Sequence, residues 1–65
     1  MKKRYYSIMR PVSIGTYPRK GAVEIVNFDY RQHVDEIGRK AWGYIDYDRE
    51  LSPEEAADYE LVVAP

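Results

Sequence analysis

The sequence predicts an α+β domain: a small antiparallel sheet of three or four strands with one short helix, about residues 53–59, packed on one face. Three observations predict it. Short β-branched and aromatic runs recur along the chain, a complete helix-start signal stands near its end, and 65 residues leave room for one core between a sheet and a helix. A chain this short buries only about 60% of the surface its unfolded form exposes. Each large apolar residue is therefore a core residue first, a single domain over 1–65 is expected, and a deep catalytic pocket is not.

Lys3 to Met9 is compact, aromatic and free of Gly and Pro. It suits a first strand with Tyr5, Ser7 and Met9 on one face and Tyr6 and Ile8 on the other, ended by Pro11. The next stretch, RPVSIGTYPRKG from Arg10 to Gly21, holds two of the four prolines and two of the four glycines. It is long for a tight hairpin and predicts a wide, partly extended arm. Pro11 and Pro18 restrict its ends, while Val12, Ile14 and Tyr17 supply apolar side chains that a purely solvated loop has no need of. Tyr17 is expected to lie against the domain, with Ser13 to Thr16 at an exposed tip.

The second strand, Ala22 to Phe28, is rich in β-branched residues and follows the Arg19-Lys20-Gly21 turn signal. After it two readings stand for residues 30–37. Asp29 with Gln32 resembles a capping box and Tyr30, Val34 and Ile37 recur at helical spacing before Gly38; against this, so short a segment is marginal for a helix and equally suits an irregular crossover. Lys40 to Tyr47 alternates as a third strand, with Trp42, Tyr44 and Asp46 on one face and Ala41, Gly43, Ile45 and Tyr47 on the other. Gly43 is costly there unless another backbone or an aromatic packs over it. In Leu51-Ser52-Pro53-Glu54-Glu55-Ala56, Ser52 caps, Pro53 takes the first helical position, Glu55 closes a capping box and Leu51 staples onto Ala56. Glu60 to Ala64 is a last strand. Ile8, Ile25, Ile45, Leu61 and Val63, with Trp42 or its neighbours, are expected to be shielded from solvent.

The net charge of −1 hides an asymmetry: residues 1–32 carry seven cations and two acids, residues 33–65 three cations and nine acids. Either the halves balance each other in a small fold or they mark a basic and an acidic partner surface. There is no cysteine, so no disulfide framework or thiolate metal site is expected, and a cytoplasmic protein is. The Met1-Lys2-Lys3-Arg4 start is not followed by an apolar run long enough for a signal peptide, and no membrane span is expected.

No catalytic residue, cofactor or metal ligand is assigned. Ser13-Ile14-Gly15-Thr16 lacks the glycine pattern of a phosphate cradle. Asp46-x-Asp48-x-Glu50 begins like a calcium loop, but Leu51 stands where Gly is required and Ala57 where a bidentate Glu is. His33 is alone. Seven tyrosines, Trp42 and Phe28 among Lys2, Lys3, Arg4, Arg39 and Lys40 could build a base-stacking platform or, in a chain without Leu-rich helices, simply the core.

The segments Val23 to Asp29, Glu36 to Asp48 and Leu51 to Leu61 carry a resemblance over about residues 5–64, strongest in Ala41-Trp42-Gly43-Tyr44 and Leu51-Ser52-Pro53-Glu54-Glu55. The chain resembles small mobile-element proteins of gut Firmicutes and the small domains associated with large polyvalent proteins of phages and conjugative elements. The resemblance implies an accessory role in defence evasion or DNA transfer and carries over no active-site residue. The expected function is a non-enzymatic protein-interaction module with an unknown protein partner or self-association. Its candidate contact residues are Arg10, Ser13, Thr16, Tyr17, Arg19 and Lys20. The alternative is nucleic-acid binding by the basic, aromatic amino-terminal half.

Overall fold

The computed structural model describes residues 2–65; Met1, which opens the basic start, lies outside them. The chain runs β1 (Lys3–Ser7), β2 (Ala22–Val34), β3 (Arg39–Tyr47), α1 (Pro53–Asp58) and β4 (Leu61–Val63), with a single 3-10 turn at Asp35–Ile37. The strands form one sheet in the order β2-β3-β1-β4, antiparallel at every pairing.

The α+β expectation is corrected. Strand accounts for 47% of the described residues and helix for 14%, so the fold is mostly β with one short helix as an accessory. The start signal works as written, since Ser52 Oγ accepts from Glu55 N–H at 3.1 Å with Pro53 in the first turn. Nothing sustains the helix further: none of its residues is buried and no basic side chain complements its last turn. Residues 30–34 are strand rather than helix, because β2 continues to Val34 before the 3-10 turn. Gly38 ends that turn at φ 68°, its N–H shared between the carbonyls of Val34 and Asp35.

Alternation along β1 sends Tyr5 and Tyr6 to opposite faces, and each face carries its own small core. On one, Tyr5, Ile45, Tyr47, Leu51 and Leu61 meet Val12 and Tyr17 of the arm, with Ala22, Ala56 and Tyr59 at the margin. Tyr5 and Tyr47 pack edge to face at 5.6 Å. On the other, Tyr6, Ile8 and Ala41 are covered by Phe28, Val34, Ile37, Tyr44 and Val62. Gly43 is explained by close backbone approach, since a Cβ there would strike the Val26 carbonyl oxygen and lie 3.0 Å from Asn27 Cα.

Ile8, Ile45 and Leu61 are shielded as expected, but Ile25 and Val63 are 43% and 42% exposed. The strand order is the cause: β2 and β4 are the two edges of the sheet, so neither residue has a neighbour on its outer side. Trp42 is half-buried, beside a fully buried Ala41.

Candidate functional site

The arm between β1 and β2 is anchored by its ends and middle. Ser7, 2% exposed, donates its hydroxyl to the Arg10 carbonyl at 2.5 Å and turns the chain off β1. Val12 is buried, and its backbone is gripped by one side chain: Asn27 Oδ1 accepts from Val12 N–H at 2.8 Å, while Asn27 Nδ2 donates to the Val12 carbonyl at 2.8 Å. The amide thus imitates a strand neighbour and clasps the arm to β2. Further on, Tyr17 and Pro18 are buried, and Tyr47 donates its hydroxyl to the Pro18 carbonyl at 2.6 Å. Burial raises the Tyr47 pKa well above the tyrosine norm, so this hydroxyl stays protonated and remains a donor.

Between these anchors the chain makes a self-contained tip. Thr16 N–H donates to the Ser13 carbonyl at 3.0 Å, Thr16 Oγ1 donates to the same carbonyl at 2.8 Å, and Ser13 N–H returns a bond to Thr16 Oγ1 at 2.9 Å. Gly15 at φ 93° allows the reversal. With its backbone satisfied internally, the tip presents Ile14, 82% exposed. Arg19 and Lys20 follow, both exposed and without an ion pair among the described residues. Arg49 steadies this end by donating from Nε to the Lys20 carbonyl at 2.8 Å while forming a two-point pair with Glu55 at 3.0 Å.

The six sequence-named contact residues therefore divide. Ser13, Arg19 and Lys20 reach solvent, and Thr16 is half-buried as the fastener of the tip. Arg10 is exposed but paired with Glu60, and Tyr17 belongs to the core. Asn27 and Tyr47 carry the arm's construction, while Ile14 stands exposed within the expected tip. Ile14 was legible as an apolar residue on a predicted tip, whereas the two anchors depend on contacts between the arm and strands distant from it in sequence.

A second polar cluster lies on the face that carries Tyr6. Arg4 makes a two-point pair with Asp46, from Nε at 2.8 Å and from the terminal nitrogen at 3.1 Å, and its guanidinium stands 3.8 Å over the Tyr44 ring. Asp46 is 1% exposed, yet Arg4 holds its carboxyl below the ordinary range, with Lys2 adding at 3.5 Å. Tyr6 donates to Glu36, and burial foremost, with that bond, raises its pKa. Lys2, Arg4, Glu36, Asp46 and Ala64 line a recess of about 230 Å³. Lys2 and Arg4 are matched by Asp46, with Glu24 also beside Lys2, while Glu36 accepts the Tyr6 hydroxyl.

The same pairings bear on the basic half. Lys2, Arg4 and Arg10 face acids, and Tyr5, Tyr6 and Tyr17 are buried, so these rings offer no stacking surface. Among the described residues no group of three His, Cys, Asp or Glu side chains is placed to hold a metal ion, and no helix is long and apolar enough to cross a membrane.

No curated protein and no solved structure matches the chain. A family model does, over residues 1–65, and its description reads defence against restriction A, C-terminal.

Proposed function

Since the chain belongs to the defence against restriction A C-terminal family, we propose that it is a non-enzymatic protein-interaction module serving an accessory, phage-type role against restriction, with the arm as its contact element. The family is associated with defence against restriction, and the mobile-element setting implied by the sequence resemblance agrees with such a role. One observation carries the choice of surface: the arm is fixed at Val12, Tyr17 and Pro18, yet holds Ile14 almost fully in water. An anchored loop that exposes a large apolar side chain has been ordered before it meets a partner, which lowers the entropic cost of binding. The matching partner surface is an apolar hollow with acids nearby to meet Arg19 and Lys20.

Affinity capture from cells infected with a phage that encodes the chain tests this reading. The comparison is between the tagged wild type, Ile14→Asp and the double variant Arg19→Glu, Lys20→Glu. A protein retained by the wild type and lost from both variants while they stay folded is the expected result. Equal retention by all three removes the arm as the contact surface.

A further inference from the structure

The arm leaves one large feature of the sheet unexplained. β2 is the longest strand, at 13 residues, and it stands at an edge, with no strand on its outer side among the described residues. Long edges invite pairing with another chain, and proteins that remain monomeric usually blunt them with like charge, proline, a β-bulge or short length; of these, β2 carries register shifts at Ala22/Glu24 and Asn27/Gln32. β2 has no proline in it. Between Asn27 and Gln32 its register with β3 breaks, so Phe28, Asp29, Tyr30 and Arg31 have no opposite residue on β3 although they remain strand. At the centre of that stretch Tyr30 is 65% exposed, and it is flanked by charges of opposite sign.

We propose that β2 pairs antiparallel with β2 of a second copy of this chain, about a two-fold axis through Tyr30, joining two four-stranded sheets edge to edge. Asp29 and Arg31 are the residues before and after Tyr30, so in an extended strand they lie on one face. A two-fold through Tyr30 sets Asp29 of each copy opposite Arg31 of the other, giving two ion pairs, and sets the two Tyr30 rings side by side. Both charges are free to take part: Asp29 makes no ion pair among the described residues, and the hydrogen bond given by Arg31 is a long 3.4 Å contact to the Ile8 carbonyl. The edge thus carries its own complement, the reverse of a like-charged edge that repels itself. This surface is separate from the arm and stands or falls without it.

Sedimentation equilibrium at about 0.2 mM decides the matter with Asp29→Arg and Arg31→Asp, each alone, combined in one chain, and mixed as two single variants. Far-UV circular dichroism reports whether each variant is folded. The wild type is expected to be a dimer, and each single variant, which faces like charges across the axis, to associate at least about tenfold more weakly. The combined variant exchanges the charges and restores the dimer; the equimolar mixture forms the heterodimer, since one copy offers two cations and the other two acids. If Arg31→Asp disturbs the Ile8 contact and misfolds, Asp29→Arg against the wild type still decides. A monomeric wild type, a dimer indifferent to both single changes, or failure of both the combined variant and the mixture to associate overturns the proposal.

Discussion

Replacing Asn27 isolates the clasp that positions the arm. Asn27→Ala removes two hydrogen bonds, both 2.8 Å, to the Val12 backbone. Each contributes about 0.5–1.5 kcal/mol net, and because the Asn27 side chain is itself exposed, water partly replaces them, so about 1–2 kcal/mol is expected. In a domain of this size that lowers the melting temperature by roughly 4–16 °C. Asn27→Asp is the sharper probe, since it keeps the acceptor for Val12 N–H but turns a carboxylate oxygen toward the Val12 carbonyl. It should cost at least as much as Asn27→Ala at neutral pH and recover in acid, where the protonated carboxyl can donate. Thermal melts give the magnitude and amide exchange at Val12 gives the place. A Val12 amide as protected in Asn27→Ala as in the wild type would refute the clasp.

Arg4→Met strands the buried Asp46 carboxylate. Breaking a buried pair costs about 3–5 kcal/mol, reduced here to about 2–3 kcal/mol because Lys2 remains 3.5 Å from Asp46 and the Arg4 side chain is 39% exposed. Asp46→Asn leaves a more exposed cation beside an amide oxygen and should cost less, about 1–2 kcal/mol in urea unfolding. Asp46 has a folded pKa below its ordinary 3.8, so the wild type keeps this contribution above that value and loses it as pH falls through the folded one. The stability gap between wild type and Arg4→Met should therefore narrow in acid melts, and a constant gap counts against the pair. Gly43→Ala drives a methyl into the Val26 carbonyl; about 2–3 kcal/mol of destabilisation is expected, with lost amide protection along β2.

Much of the local structure was legible, and the reasons show where legibility stops. Ser52-Pro53-Glu54-Glu55 marks the helix start because capping is settled within four residues, and of Val12, Ile14 and Tyr17, the apolar residues that announce a packed arm, Val12 and Tyr17 are buried while Ile14 is left in water at the tip. The fold class was not legible: residues 30–34, open between a helical turn and a crossover in the sequence, extend β2 to Val34, and only packing reveals that α1, which has the expected short length, buries none of its residues fully. Ile25 and Val63 have the composition of core strand residues, but their exposure follows from strand order, which local alternation does not encode. At the site, Ile14 follows from the tip, whereas the Asn27 clasp and the Arg4–Asp46 pair join residues 15 and 42 positions apart. No periodicity connects them.

The central claim is that the arm's tip acts in contact with a partner while its base holds the fold. Efficiency of plating on restricting and non-restricting hosts, for phage carrying wild type or Ile14→Asp, tests it most directly. Ile14 is 82% exposed, so the change should leave stability within about 0.5 kcal/mol. Ile14→Asp is expected to plate normally on the non-restricting host and to show a marked loss on the restricting one. Wild-type plating of a folded Ile14→Asp on both hosts would contradict it.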